Sequence, residues 1–452
     1  MPQDSADFPV KTEERAHLSR ETRIDLVSLI VLAGFVASVF ICYVRGTYLG
    51  LGYPFNTFLF QPADRFMDYF NGLTYATAGH GEGMVGMGGL AYLLFHFFYH
   101  ISFGNAYFSL AVYTIAMAVF VLCYNLRNLW SGPFPKMSLV RLARNLFILS
   151  FLSYPVLFTL DRGNVEACAF IFLSLFVYLY CSNRAGISTL FLAAATALKV
   201  YPFVFIILYL ADKKYKESAI FVALLLFMSA FTYDPAQGFS FHLLNFISTV
   251  RGSADPAQSY NALYVIGDAG TAFCSSAFGA VKAAMYVFGH QDLRPLLLRL
   301  ISTYHTAALL LFGFVALYIV IVEKSLWKRI AILTLSMIFF PYVTGDYRLL
   351  HLYIPMWLFL NSEEKGEADL LYTILFALLL IPKAYYLIKG DVSVSVILNP
   401  LIIFLLLVSM IAAGLRNLSV SDIKQSVTEH VTALRRIYTS GKVHSADKGG
   451  HA

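Results

Sequence analysis

The chain has 452 residues, of which 58% are hydrophobic and only 13% are charged. Soluble domains carry about 25% charged residues, so the composition excludes an ordinary soluble protein and indicates a polytopic membrane protein. The formal net charge of +6 does not point to nucleic acid, because basic residues of a membrane protein mainly report which loops are cytoplasmic. We therefore expect membrane lipid, and no nucleic acid, as a partner.

The apolar runs have the length of helices, and they lack the period-2 alternation of a membrane barrel. They predict an all-α fold, a polytopic helical bundle with about 10–12 transmembrane helices and a long first external loop. Residues 1–24 form a cytoplasmic leader, 25–415 the transmembrane domain and 416–452 a cytoplasmic tail. Motifs for a nucleotide are missing from the sequence, which has no P-loop and no GxGxxG after a strand.

The first apolar run predicts a helix over 25–44. Its leader is mixed in charge and contains Lys11, Arg15, Arg20 and Arg23. Acidic residues weigh little in the orientation rule, so the N-terminus is expected in the cytoplasm and residues 47–103 form an external loop. Within that loop, the aromatic stretch 89–103, "GLAYLLFHFFYHISF", favours a helix lying in the membrane interface.

The segment that follows Arg184 begins and ends on basic residues, with Lys199 and Pro202 between them. Proline breaks a membrane helix, and such breaks are tolerated where they face protein or a watery cavity. We therefore predict a broken or re-entrant element here. A second external region is predicted over 233–296. The ten full spans are predicted at 25–44, 105–124, 143–160, 165–182, 218–232, 298–322, 330–344, 349–361, 370–387 and 395–415.

With this topology, polar residues collect on the external side. They are Asp64, Arg65, Asp68 and Asn71; Asp161, Arg162, Asn164 and Glu166; Lys199; and Asp346, Tyr347, Arg348 and His351. Charges within a membrane are costly and usually functional. Arginine binds phosphate with two parallel hydrogen bonds and lysine binds it as a point charge, so Arg162, Lys199 and Arg348 would suit a phosphate. A neighbouring carboxylate could accept the proton of a hydroxyl group.

A phosphate at an external membrane face suggests a lipid phosphate, and hence group transfer from a polyprenyl carrier. Protein cations can stabilise the leaving phosphate, so we expect no cofactor and no metal. The rival interpretation is a multi-pass transporter or lipid flippase, which would also contain many helices, a broken helix and buried charges.

Three stretches carry a family resemblance: "RFMDYFN" after the first helix, "RGNVEACAFIFLSL", and "AAATALKVYPFVF". With the aromatic segment 89–103, they resemble the GT-C superfamily of integral-membrane glycosyltransferases. Within it they are most similar to glycosyltransferase family 87, the polyprenol-phosphate-mannose-dependent α-mannosyltransferase-like proteins. The resemblance extends over about residues 25–415. It implies an inverting enzyme that moves mannose from a polyprenyl phosphate to a glycolipid or polysaccharide, with an aspartate of the first external loop as the base.

Asp68, in the Phe-x-Asp-Tyr position, is our first choice for that base, and Asp64 is the second. Alternatives stay open for each. Asp64 would suit a helix cap, and Asp68 could form a plain salt bridge with Arg65 or Arg162. We place the donor phosphate on Arg162, Lys199 and Arg348, although Lys199 could instead extend to an interface. The residues assigned to substrate binding are Asn164, Glu166, Tyr201 and His351. Asn164 could be an ordinary helix cap, and His351 a hydrogen-bonded structural histidine.

Overall fold

Helices dominate the structure, as the apolar runs predict. The computed structural model describes residues 18–52, 65–78, 89–131, 137–234, 238–242, 244, 247, 250–251, 262–267, 270–289, 294–364, 366–383, 387–389, 392–416 and 418–448. Within these ranges the chain is an all-α polytopic membrane protein, and its strands are confined to two short antiparallel hairpins. The predicted fold class is confirmed.

Seventeen α-helices are described in chain order. They are α1 (Arg20–Thr47), α2 (Met67–Ala78), α3 (Gly89–Ile101), α4 (Ala106–Trp130), α5 (Leu139–Phe147), α6 (Tyr154–Arg162), α7 (Glu166–Cys181), α8 (Ala185–Leu198), α9 (Ile206–Ala211), α10 (Tyr215–Ala230), α11 (Ala277–Phe288), α12 (Arg294–Ile321), α13 (Leu326–Phe339), α14 (Tyr353–Leu360), α15 (Asp369–Leu380), α16 (Ser395–Arg416) and α17 (Val420–Lys448). The hairpins pair β1 (Phe231–Asp234) with β2 (Gly238–Phe241), and β3 (Leu387–Lys389) with β4 (Val392–Ser393).

Four of the described helices, α1, α4, α12 and α16, are long and apolar enough to cross a membrane alone. A fifth candidate is the pair formed by α5, with its π-helical extension Ile148–Leu152, and α6, which meet at a bend of 44°. The other predicted spans coincide with shorter apolar helices such as α7 and α15. Each of these ends before the roughly 20 residues that a straight crossing requires.

The break predicted at Lys199 and Pro202 is present. Helix α8 ends at Leu198, and Lys199 has extended backbone angles (φ −142°, ψ 128°). The chain resumes as a 3-10 helix, Tyr201–Phe205, with Pro202 in its first turn, where the missing N–H leaves no hydrogen bond unmade. The two pieces pack against neighbouring helices: α8 against α7 and α10, and α9 against α12.

Three regions predicted to lie outside the membrane spans contain further helices. The first external loop contains α2, the region 233–296 contains α11, and the polar tail forms α17. The apolar pattern of α2 and α11 is too short to stand out as a span. The tail helix α17 is mostly polar, and its contacts with the bundle include an ion pair between Lys213 and Glu429 at 2.5 Å.

Polar contacts join several helix ends at one end of the bundle. Arg20 donates to the side chain of Asn361 at 2.7 Å, and Asp25 pairs with Arg141 at 2.5 Å. Arg329 pairs with Asp212 at 2.7 Å. Glu364, which follows α14, accepts hydrogen bonds from Ser325 and Trp327 at the start of α13. The segments that the sequence assigned to one face of the membrane therefore meet.

Candidate functional site

A polar site lies at the N-terminal end of α7. It includes the turn between α6 and α7, "DRGNVE". Gly163 ends α6 in the left-handed conformation (φ 61°, ψ 32°), and its N–H donates to the carbonyls of Thr159 and Leu160. Asn164 then caps α7, because its side-chain oxygen accepts the backbone N–H of Glu166 at 2.9 Å. This turn places Arg162 and Asn164 side by side, which explains why two polar residues so close in sequence serve one site.

Helix α2 brings Asp68 to this turn. The N–H of Phe66, just before α2, donates to the carbonyl of Asp161 at 2.6 Å. Phe66 itself adopts a left-handed conformation (φ 58°), which is uncommon for a bulky residue and marks a constrained turn. Because Gly163 has no side chain, Tyr69 of α2 can lie directly against it: a Cβ at Gly163 would be 2.7 Å from the Tyr69 Cβ. Phe66 and Tyr69, which lie on either side of Asp68 in the chain, are thus held against the α6–α7 turn.

Asp68 is buried, with 8% of its surface exposed, and it is bound by both residues of the turn. Arg162 donates Nη2 to Oδ1 at 2.5 Å and Nε to Oδ2 at 3.3 Å. Asn164 donates its side-chain amide to Oδ2 at 2.7 Å. The sequence left a salt bridge open for Asp68 and a helix cap open for Asn164. The structure contains both: Asp68 pairs with Arg162, and Asn164 caps α7 while it also binds Asp68.

Two further cations come from distant segments. Lys199, at the helix break, lies close enough to Glu166, Arg348 and Asp68 to interact electrostatically with each. Arg348 comes from the 3-10 helix Asp346–Leu352, which precedes α14. Its guanidinium carbon lies 4.1 Å from the centre of the Tyr201 ring, a cation–π contact. The helix break and the 3-10 helix therefore bring Lys199 and Arg348 to one cavity, which Tyr201 also lines.

Glu166 and His351 lie behind Tyr201 and are fully buried. His351 Nε2 lies 2.6 Å from the Oε1 atom of Glu166, and the Tyr201 hydroxyl donates to the same oxygen. Neither Glu166 nor His351 has any exposed surface. A direct contact of these two residues with substrate stays a prediction, and their burial assigns them first to the protein's own hydrogen bonds.

A cavity of about 410 Å³ opens beside the cations. Its lining residues are Lys199, Val200, Tyr201, Val204, Val250, Val265, Tyr304, His305, Ala308, Leu309, Phe312, Ser336, Met337, Phe340, Pro341, Tyr342, Val343, Tyr347 and Arg348. The lining is mainly apolar and aromatic, and its charged residues are Lys199 and Arg348. Among the described residues no carboxylate lines it, so the cavity favours an anionic ligand with an apolar body.

The structure thus links Asp68 to Arg162 and Asn164 by hydrogen bonds, and Lys199 to Asp68 and Arg348 by electrostatic interactions. Their roles in binding and catalysis stay predictions. Arg65 pairs with Asp161 at 3.6 Å and not with Asp68. Asp64, the second choice for the base, lies outside the described residues. No three histidine, cysteine or acidic side chains of the described segments converge in a way that could hold a metal ion.

Asp346 is a buried residue of this region that the sequence prediction left without a role. Its carboxylate accepts hydrogen bonds from Ser275 at 2.6 Å and from Tyr154 at 3.3 Å, and Asn399 lies at 3.5 Å. It therefore anchors the start of the 3-10 helix that presents Arg348. The only sequence signal for Asp346 is its charge in the polar stretch "YVTGDYRLLH" between two predicted spans, because its partners are far away in sequence.

Replacing Gly163 by alanine should destabilise the protein by about 1–2 kcal/mol, the cost of a left-handed conformation for an L-residue, with a further cost from the contact with Tyr69. Thermal unfolding in detergent measures the loss. Gly186 is the matched control, since it lies in α8 with nothing within 4 Å of a built Cβ. Equal stability of the Gly163→Ala and Gly186→Ala variants would contradict the tight turn described here.

The fold and the site define a polytopic helical membrane protein with a charged site beside a mainly apolar cavity. The sequence model of glycosyltransferase family 87 matches residues 89–344, more than half of the chain. The chain therefore belongs to glycosyltransferase family 87 and is a glycosyltransferase, which confirms the resemblance. No curated protein and no solved structure gives a match.

The matched region contains part of the site. It includes the α6–α7 turn with Arg162 and Asn164, and the helix break with Lys199 and Tyr201. Asp68 precedes the match, and Arg348 follows it. The association of these two residues with the family's segments therefore rests on the geometry: Asp68 binds Arg162, and Arg348 lies over Tyr201.

Proposed function

We propose that this glycosyltransferase takes a sugar, expected to be mannose, from a polyprenyl phosphate and transfers it to a glycolipid or polysaccharide with inversion. The observation that carries the proposal is the pairing of Lys199 and Arg348 in a cavity whose other walls are mainly apolar and aromatic. A lipid phosphate has the matching parts, an anionic head and an apolar chain. A nucleotide would instead call for polar contacts to its base and ribose.

The charges favour the breaking of the sugar–phosphate bond. The donor is a phosphodiester with one negative charge, and the departing lipid phosphate gains a second as the bond between the anomeric carbon and oxygen breaks. Cations fixed beside it stabilise the transition state more than the ground state, which is the condition for catalysis. Arg162, Lys199 and Arg348 would hold the departing phosphate in this mechanism.

Asp68 would accept the proton of the acceptor hydroxyl as its oxygen attacks the anomeric carbon. In this structure Arg162 and Asn164 hold both carboxylate oxygens of Asp68. In this mechanism Arg162 orients Asp68 through these bonds, and its positive charge also stabilises the departing phosphate. Orientation of this kind accounts for a large part of the rate when two groups must meet in one geometry.

We place the site at the external face of the plasma membrane, with both termini in the cytoplasm. The opposite end of the bundle contains many basic residues in or next to the first turns of helices and in a turn, including Arg20, Arg141, Arg144, Lys213 and Arg329. Basic residues accumulate in cytoplasmic loops, which supports this orientation. A donor that approaches from the lipid would then meet the cavity on the outer side.

A transfer assay with the purified full-length protein tests the proposal. Labelled polyprenyl-phosphate mannose and a panel of other polyprenyl-phosphate sugars are offered with a glycolipid acceptor, and nucleotide sugars serve as the comparison. We expect transfer from a polyprenyl-phosphate sugar, with the anomeric configuration inverted in the NMR spectrum of the product. Transfer from nucleotide sugars alone would overturn the donor assignment. Movement of lipid across liposomes without any transfer would favour the rival, a transporter or flippase.

A further inference from the structure

Glu166 is the buried residue that connects the two halves of the site. Its Oε1 atom accepts the Tyr201 hydroxyl and lies 2.6 Å from His351 Nε2. Its Oε2 atom makes no hydrogen bond within the described structure, although the residue is fully buried. Glu166 does not line the cavity but contacts Tyr201, which does. Any influence of Glu166 on a ligand there must pass through its neighbours.

Tyr201 transmits the position of Glu166 to both cations of the cavity. Arg348 lies over the face of its ring at 4.1 Å. Lys199 lies two residues before it in the helix break, where the backbone is extended. The hydroxyl of Tyr201 is bound to the buried carboxylate of Glu166, and this bond fixes the position and orientation of the ring. The guanidinium of Arg348, which packs on the ring, is therefore positioned as well.

Glu166 also acts on the same two cations through its charge. Lys199 and Arg348 repel each other, and Glu166 attracts both. In a buried setting such interactions are stronger than in water. Glu166 therefore keeps two like charges together before any anionic ligand is present, and it does so from a position that leaves the cavity open.

Glu166 is also linked to the proposed base. Its backbone N–H donates to the Asn164 side chain at 2.9 Å, and Asn164 donates to Asp68 at 2.7 Å. The first residue of α7 thus lies between the carboxylate on one side and the cations on the other. A shift of Glu166 changes the distance between the two halves of the site.

We infer that Glu166 is a positioning residue that acts through Tyr201 to hold Arg348 and Lys199 in place for the donor phosphate. The inference rests on the function proposed above and gives Glu166 a role other than contact with substrate. It predicts that the hydroxyl of Tyr201, and not only its ring, controls how the donor is bound.

The test is a double-mutant cycle with Tyr201→Phe and Glu166→Gln. Tyr201→Phe keeps the ring below Arg348 and removes the bond to Glu166, so the KM for the polyprenyl-phosphate sugar should rise about tenfold, as for loss of a hydrogen bond to a charged group. The KM for the acceptor should stay unchanged. Glu166→Gln keeps an acceptor oxygen but removes the charge that strengthens the bond from Tyr201. The double variant should be little worse than the more impaired single variant, because both changes act on the same hydrogen bond.

Tyr180→Phe is the matched control. Tyr180 lies at the other end of α7, away from the cavity. It is buried, whereas Tyr201 is half-buried, and like Tyr201 it donates its hydroxyl to a carboxylate, that of Asp212, at 2.6 Å. We expect its donor KM to equal that of the wild type. Two results would overturn the inference. One is a double variant whose loss equals the product of the two single losses. The other is a rise of both the donor KM and the acceptor KM together with a lower melting temperature, which would indicate general damage to the fold.

The two proposals fail in different ways. A wild-type protein that transfers no sugar from any polyprenyl phosphate overturns the proposed function. A wild-type protein that is active, with an unchanged donor KM in Tyr201→Phe, overturns only the role of Glu166.

Discussion

Asp68→Asn is expected to lose almost all sugar transfer, with kcat lower by about 10²–10⁴-fold, the usual contribution of a general base. Asparagine keeps the shape of the side chain and an oxygen that can accept from Arg162 or Asn164, but it cannot take a proton from the acceptor. The KM for the donor should change little, because the cations that hold the phosphate remain. Transfer is measured with the purified variant, and thermal unfolding checks that it is folded.

Three controls separate a base from a plain ion pair. Asp161 has the same 8% exposure as Asp68 and also faces an arginine, Arg65, at 3.6 Å, so Asp161→Asn should keep most of the activity. Asp64→Asn should also remain active. The double variant Asp68→Asn/Arg162→Gln removes both charges of the pair and should stay inactive. Recovery of transfer in the double variant would show that Asp68 only compensates Arg162. Loss of transfer in Asp64→Asn, with Asp68→Asn active, would move the base to Asp64.

Removal of either cavity cation is expected to have the second largest effect. Lys199→Gln and Arg348→Gln should each lower kcat/KM for the donor by roughly 10²-fold, as for other groups that stabilise developing negative charge in a buried site. Arg348→Lys should recover only part of this loss, because lysine keeps the charge but lacks the planar guanidinium that packs on Tyr201. Steady-state kinetics at varied donor concentration measure these changes.

Lys389→Gln is the matched control for a lost positive charge. Lys389 is exposed and donates to the carbonyl of Val287 at 3.1 Å, and the predicted topology places it on the same side of the membrane. Its kinetics should equal those of the wild type. An equal loss in all three lysine and arginine variants would point to a general effect of surface charge, and would remove the phosphate assignment.

The proposed site depends on helix ends, and this is why its members are so far apart in sequence. Asp68 lies in the first turn of α2, Arg162 in the last turn of α6, and Glu166 in the first turn of α7. Lys199 and Arg348 lie where regular helix gives way to an extended residue or a 3-10 helix. At such positions side chains and backbone groups can face a cavity while the helices themselves remain fully hydrogen bonded.

The sequence by itself determined the membrane class, because long apolar runs can satisfy their backbone hydrogen bonds in lipid only as helices. It also determined the break at Lys199, because Pro202 cannot continue a helix whose hydrogen bonds are intact. The short motifs determined the family. Each of these conclusions depends on residues that are neighbours in the chain.

Only the tertiary structure decided which polar residues meet. Asp68 could have paired with Arg65 or Arg162, and the close approach of Tyr69 to Gly163 selected Arg162. Helix α11 was also missed from the sequence, because its apolar segment is too short for its pattern to indicate a span. The bend between α5 and α6 has a local cause that the span prediction passed over, Pro155 in the first turn of α6. Contacts between residues about a hundred or more positions apart depend on how helices are arranged, and local sequence does not encode that arrangement.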